Sequence, residues 1–174
     1  LTPAWTTAMP DWAERLKRGE SIVPPPIFPE EADRALAVFR ELKIVDAPGS
    51  PAIGESCAAW VFEIAASIFG AYDAESGRRL ITEWFICVPK KNSKSTIAAA
   101  VMMTALILNW RQSAEFTALA PTIEVAGNAF SPARDMVKHD EELDALLQVQ
   151  THVRTITHRE SGATLKVVAA DSNT

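Results

Sequence analysis

The chain has 174 residues, 48% of them hydrophobic and 22% charged, with a formal net charge of −5. That length and balance fit one globular domain with a buried core. They exclude a protein that holds nucleic acid through its overall field, so any contact with DNA must come from a local basic patch or from assembly into a ring. Two cysteines, Cys57 and Cys87, exclude a disulfide framework or a zinc site and read as reduced thiols of a cytosolic protein.

Residues 1–29 carry Pro3, Pro10, Pro24, Pro25, Pro26 and Pro29, with Trp5 and Trp12 between them. This proline density precludes long helices and predicts an extended arm lying against a partner or the domain surface. Pro29-Glu30-Glu31 opens a helix, with acids at the positive end of its dipole, and Ala32, Ala35, Leu36, Phe39 and Leu42 follow at helical spacing. Residues 47–54 form a loop with two prolines and two glycines. A second helix is predicted over 55–69, with Trp60, Ile64, Ile68 and Phe69 on its apolar side and Gly70 as its stop.

Residues 80–88 end in four apolar residues and predict a central strand covered on both faces. A basic turn follows, then an apolar helix over 96–110, buried on all sides and shorter than the roughly 20 residues needed to cross a bilayer. Residues 116–120 predict a second buried strand. A helical stretch interrupted near Gly127 and Pro132 comes next, then a helix over 140–147 with its acids at the front. Residues 153–157 and 164–170 predict a hairpin. The order of strand, turn, helix, strand and helix predicts an α/β fold with a largely parallel sheet and crossover helices. Both ends read as cut, so the expectation is a fragment of a longer protein.

The turn is Pro89-Lys90-Lys91-Asn92-Ser93-Lys94-Ser95-Thr96. Between a buried strand and a buried helix, such a turn can bind phosphate. Backbone N–H groups and the positive helix end converge on the anion, a lysine reaches the outer phosphates, and a hydroxyl joins a Mg²⁺ shell. Lys94 and Ser95 match the final Lys-[Ser/Thr] of that motif, and no acid lies between Glu83 and Glu115. Val88 and Ser93, however, stand where the strict pattern has glycine. From the pattern alone two readings stay open: a phosphate loop, or a solvated basic turn.

The turn resembles the variant phosphate loop of phage large terminases, usually a basic residue or two and then Asn-Gly-Lys-Ser. Three further features resemble that family in order. Trp60, in a helix closed by Ile68-Phe69-Gly70, resembles the segment packed near the adenine. Arg78-Arg79 resembles the lead-in to the loop, and Ala118-Leu119-Ala120-Pro121-Thr122, with Ala126 beyond it, resembles the strand end after the loop helix. Val61 stands where the family has glutamine, and Ser93 where it has glycine.

The resemblance implies a phosphate-loop NTPase fold, with residues 1–29 as the proline-rich arm and 30–174 as the front part of an ATPase domain. It implies a viral motor that hydrolyses ATP with Mg²⁺ to drive DNA into procapsids. Pro89, Lys90, Lys91, Asn92, Ser93, Lys94, Ser95, Thr96 and Trp60 would bind nucleotide. Lys94 would hold the phosphates, Lys90 would act as a catalytic cation supplied in cis, and Ser95 would meet Mg²⁺, with Thr96 as its fallback. The implied partners are double-stranded viral DNA, a portal protein, the small terminase subunit and further copies in a homo-oligomeric ring, in the host cytoplasm and without a membrane. A family member of full length is also an endonuclease, but no residues here match its nuclease domain.

An ATPase of this class also needs an Asp that holds Mg²⁺ and a Glu that activates water. The one candidate is Asp171, after the apolar run 167–170; the acidic motif itself is expected beyond Thr174. Asp140, Glu141, Glu142 and Asp144 read as solvated acids at a helix start, and His139, His152 and His158 lack metal-ligand spacing. A helicase-like or other phosphate-loop NTPase remains an alternative, as does a non-enzymatic module that binds DNA or partners through the basic turn.

Overall fold

A computed structural model describes residues 7–73 and 75–170. Trp5, Pro3 and Asp171 lie outside these residues. The chain divides into two compact units, residues 1–37 with 57–87, and residues 38–56 with 88–174.

The first unit holds α1 (Trp12–Lys17), most of α2 (Pro29–Glu41) and, after the short α3 (Ile53–Ser56) of the other unit, α4 (Ala59–Gly70). The six-residue α1 is too short to contradict the proline content, but it makes part of the expected extended arm helical. It buries no residue; its N-cap Asp11 instead accepts from Arg15 Nε at 3.0 Å. The predicted α2 forms with Ala32, Ala35 and Phe39 buried at helical spacing. The helix expected over 55–69 is two pieces, because Cys57-Ala58 breaks it. At the end of α4 the Gly70 carbonyl accepts from the N–H groups of Ile27 and Phe28, each at 2.9 Å, and Phe28 stacks on Tyr72 with ring centroids 4.2 Å apart. Arg79 donates to the Ile68 carbonyl and lies over the Phe69 ring, so it satisfies the end of α4.

The second unit is a four-stranded mixed sheet with helices packed on it. Its strands are β1 (Glu115–Ala120), β2 (Leu147–Gln150), β3 (Thr155–His158) and β4 (Thr164–Ala169), in the order β1-β4-β3-β2. The β1–β4 pair is parallel, while β2–β3 and β3–β4 are antiparallel, so the expected largely parallel sheet is mixed. The parallel pair needs a long connection, and α6 (Ile123–Lys138), α7 (Glu141–Leu146) and the β2–β3 hairpin supply it. The predicted hairpin over 153–157 and 164–170 is β3–β4.

On β4, Leu165, Val167 and Ala169 are buried and alternate with Thr164, Lys166 and Val168, which are exposed or half-exposed. One sheet face therefore carries the core. α5 (Lys94–Ile107) and α6 pack on that sheet, burying Met103, Leu106, Phe130, Met136 and Val137 against Leu147, Ile156 and Leu165.

Several expectations are corrected here. Residues 80–88 form no strand and pair with no described strand, and Phe85 is 95% exposed. An apolar extended run becomes a strand only where a neighbouring edge takes up its N–H and C=O groups, and these residues meet none. β1 is an edge strand, and only its Ala120 is buried. The apolar helix ends at Ile107 rather than Trp110, which is 81% exposed, and it buries one face rather than all sides. The stretch expected to break near Gly127 and Pro132 is one helix, α6, in which Ser131 Oγ donates to the Gly127 carbonyl at 3.0 Å.

At Gly70 the close approach of backbone leaves no room for a side chain. An added Cβ would stand 2.6 Å from Pro26 Cβ and 2.9 Å from Ala32 Cβ. Gly70→Ala is expected to lower stability by about 1–3 kcal/mol, read as a fall in the urea midpoint followed by tryptophan fluorescence; an unchanged midpoint contradicts this packing.

Candidate functional site

α5 begins at Lys94, and the residue before it, Ser93, has φ 49° and ψ 30°, in the left-handed region. Lys91 is also left-handed, with φ 69°. Glycine adopts this region at no steric cost, whereas an L side chain adds about 1–2 kcal/mol per residue. Ser93 thus takes up the backbone conformation for which the strict motif reserves glycine. Its side chain makes no capping hydrogen bond to the helix. The N–H groups of Lys94, Ser95 and Thr96 find no acceptor among the described residues, and the first loop-to-helix bond is Ile97 N–H to Ser93 O at 2.9 Å. These are the orphan donors of a helix start, at the positive end of its dipole.

Side chains brace the loop from inside. Asn92 Nδ2 donates to the carbonyls of Pro89 at 3.2 Å and Lys90 at 3.4 Å. Lys94 Nζ folds back and donates to Pro89 O at 2.8 Å and Val88 O at 3.1 Å. The three lysines and Ser95 are exposed, with no ion pair among the described residues. Thr96 differs, since it is only 7% exposed and turned into the fold.

The structure therefore brings Pro89, Lys90, Lys91, Asn92, Ser93, Lys94 and Ser95 together on one exposed turn, with Thr96 buried behind it. The turn is not preceded by a strand, contrary to the expected context. Trp60 lies half-exposed on α4, in the first unit, whereas the loop belongs to the second. Ser93, not Ser95, occupies the helix-cap position. Asp140, first of the acidic run, caps α7 by accepting from Leu143 N–H at 3.0 Å. Among the described residues no cluster of His, Cys, Asp and Glu could hold a metal ion, and no helix is long and apolar enough to cross a membrane.

A family model described as "Terminase large subunit, ATPase domain" matches residues 59–174, well over half of the chain and including the whole loop. The chain belongs to this family. Its fold is similar to that in the crystal structure of the HK97 bacteriophage large terminase, with a TM-score of 0.67 and 16% sequence identity. The match covers 82% of this chain and 28% of that one, so this terminase-family chain spans under a third of the HK97 protein's length. No curated protein matches the chain.

Ser93→Gly restores glycine to the left-handed position. Relief of the Cβ strain is partly offset by the greater entropy that glycine loses on folding, so stability is expected to rise by up to about 1 kcal/mol. Thermal denaturation would show this as a higher Tm; a lower Tm would mean that Ser93 is not held left-handed.

Proposed function

We propose that the chain is the nucleotide-binding part of a DNA-packaging motor, in which residues 89–96 hold ATP with Mg²⁺ and the energy of hydrolysis moves double-stranded viral DNA into a procapsid. The observation that carries this reading is the left-handed turn at Ser93, which leaves the first N–H groups of α5 without acceptors beside three exposed lysines. Membership of the terminase ATPase-domain family supports it. A phosphate-loop NTPase fold, the host cytoplasm as setting, and a ring of copies docked on a portal protein and served by a small terminase subunit belong to the same proposal.

In this reading the loop works by electrostatics. A triphosphate carries several negative charges, and Lys90, Lys91, Lys94 and the helix dipole supply positive charge where no acid intervenes. Lys94 would exchange its two neutral carbonyl acceptors for phosphate oxygens, so that both partners of each bond are charged and attract each other. Mg²⁺, when bound with the nucleotide, neutralises charge on the phosphoryl oxygens. The exposed hydroxyl of Ser95, at the second helical position, would join its shell, whereas the buried Thr96 is the poorer candidate.

Lys94→Ala removes the central cation and should weaken Mg-ATP binding roughly ten- to a hundredfold, as loss of a hydrogen bond to a charged group does. Calorimetry beside a circular-dichroism spectrum that confirms the fold would measure this, and unchanged affinity would refute the assignment.

Lys90 is proposed to offset the charge that builds on the leaving γ-phosphoryl group. In the full-length motor, Lys90→Ala should cut kcat about tenfold, or roughly 1.4 kcal/mol, with little change in KM. Lys91→Ala should instead raise KM and make it less salt-dependent. Steady-state kinetics separate the two, and identical behaviour would remove any special role for Lys90.

A further inference from the structure

Side chains alternate along a strand, so the register that buries Leu165, Val167 and Ile156 also fixes what the other face of the sheet presents. Thr117, Lys166, Thr155 and Gln150 form one row across all four strands. Glu115, Thr164, Thr157 and Gln148 form a second row beside it. Every residue of both rows is exposed or half-exposed. Among the described residues Lys166 has no ion pair and no hydrogen bond from its side chain, and neither have the hydroxyls of Thr117, Thr157 and Thr164. The face is a layer of hydroxyl, amide and ammonium groups with one carboxylate at its corner.

That chemistry selects the partner. Protein interfaces are anchored by buried aromatic and aliphatic side chains, and here the large apolar groups, Leu119 and Val168, lie only at one end of the face. Hydroxyl, amide and ammonium groups are the ones that contact the phosphates of a duplex. The charge agrees. Residues 145–170 hold Arg154, Arg159 and Lys166 against a single acid, Glu160, in a chain whose formal charge is −5. Arg154 stands just before β3, diagonally opposite Glu115, and has no ion pair among the described residues. Its Nε donates to the Val167 carbonyl at 3.5 Å, which leaves its other N–H groups for a further acceptor. Three strand spacings make the face roughly 14 Å wide. Phosphates follow one another about every 1.7 Å along a duplex axis, so the face can meet several at once.

We propose that this open sheet face is where the chain touches duplex DNA, through Lys166, Arg154 and the flanking hydroxyls, on phosphates alone. The proposal rests on the DNA-moving reading above and gives the duplex a surface separate from the phosphate loop. Phosphate contacts carry no base information. A duplex held by them can shift along the surface, as a motor requires.

Fluorescence anisotropy of a short labelled duplex, titrated with the whole chain over a range of salt, tests this. Lys166→Gln keeps the length of the side chain and removes its charge. It should weaken the duplex roughly five- to tenfold at low salt and flatten the slope of log affinity against log salt by about one. Arg154→Gln should act in the same direction. Lys138→Gln, which removes a cation paired with Asp144 at the α6–α7 junction, should change neither quantity. Calorimetry should show Mg-ATP affinity unchanged in all three, with circular dichroism confirming that each is folded. Duplex affinity that is unchanged in both Lys166→Gln and Arg154→Gln overturns the proposal, as does weakening with an unaltered salt slope. If Lys91→Ala and Lys94→Ala weaken the duplex and Lys166→Gln does not, DNA lies on the loop and the proposal is overturned. Sedimentation in which Lys166→Glu abolishes self-association at unchanged duplex affinity assigns the face to a second copy instead. The readings beneath fail on different results. Wild type that binds no duplex at low salt removes the DNA-moving reading, and Lys94→Ala that binds Mg-ATP as tightly as wild type removes the loop.

Discussion

The arrangement depends on one backbone constraint, the left-handed conformation of Ser93. A right-handed residue there would extend α5 backwards by one residue, and the carbonyl of Asn92 would then take up the Thr96 N–H that now lies open. The left-handed residue ends the loop abruptly. It leaves three donors of Lys94, Ser95 and Thr96 without acceptors and keeps the lysines on the solvent side. The strain of holding serine there is of the order of 1 kcal/mol. It persists because α5 is anchored by the packing of Ala99, Ala100, Met103, Thr104 and Leu106, which are at most 6% exposed. Packing in the core thus fixes the geometry of an exposed turn.

Lys94 couples the loop to its own conformation. With its ammonium group on the carbonyls of Val88 and Pro89, the loop is closed on itself. Those two acceptors offset some of the desolvation of the cation, so a phosphate must compete with them rather than bind a free charge. Asn92 bonds to the same stretch of backbone, at the Pro89 and Lys90 carbonyls. Substitutions at Asn92 or Lys94 therefore act on the shape of the loop as well as on its charge.

How much of this could be read from residue order differs from element to element, for physical reasons. α2, the front of α5, the acid-led start of α7 and the β3–β4 hairpin follow from local signals: apolar spacing, first-turn acids and a turn. Residues 80–88 and β1 have strand composition too, but their state depends on pairing, which composition does not encode. Hence the first is unpaired and the second lies at an edge with Leu119 72% exposed. Pro132 misleads for a related reason. Proline disfavours a helix interior, yet the packing of Phe130, Ala133, Met136 and Val137 holds α6 through it. In the site, the loop residues were readable from the Lys-Ser pattern. The left-handed state of Ser93 was not, because no glycine announced it.

The central claim is that the open N–H groups at the start of α5 are the anion-binding part of this chain. Amide chemical shifts of the ¹⁵N-labelled protein, followed by NMR during titration with Mg-ATP, test it most directly, because they report each N–H separately. The account predicts saturable shifts that are largest at Ser93, Lys94, Ser95 and Thr96 and are weakened in Lys94→Ala. Shifts confined to other parts of the chain, or none at all at millimolar nucleotide, would contradict it.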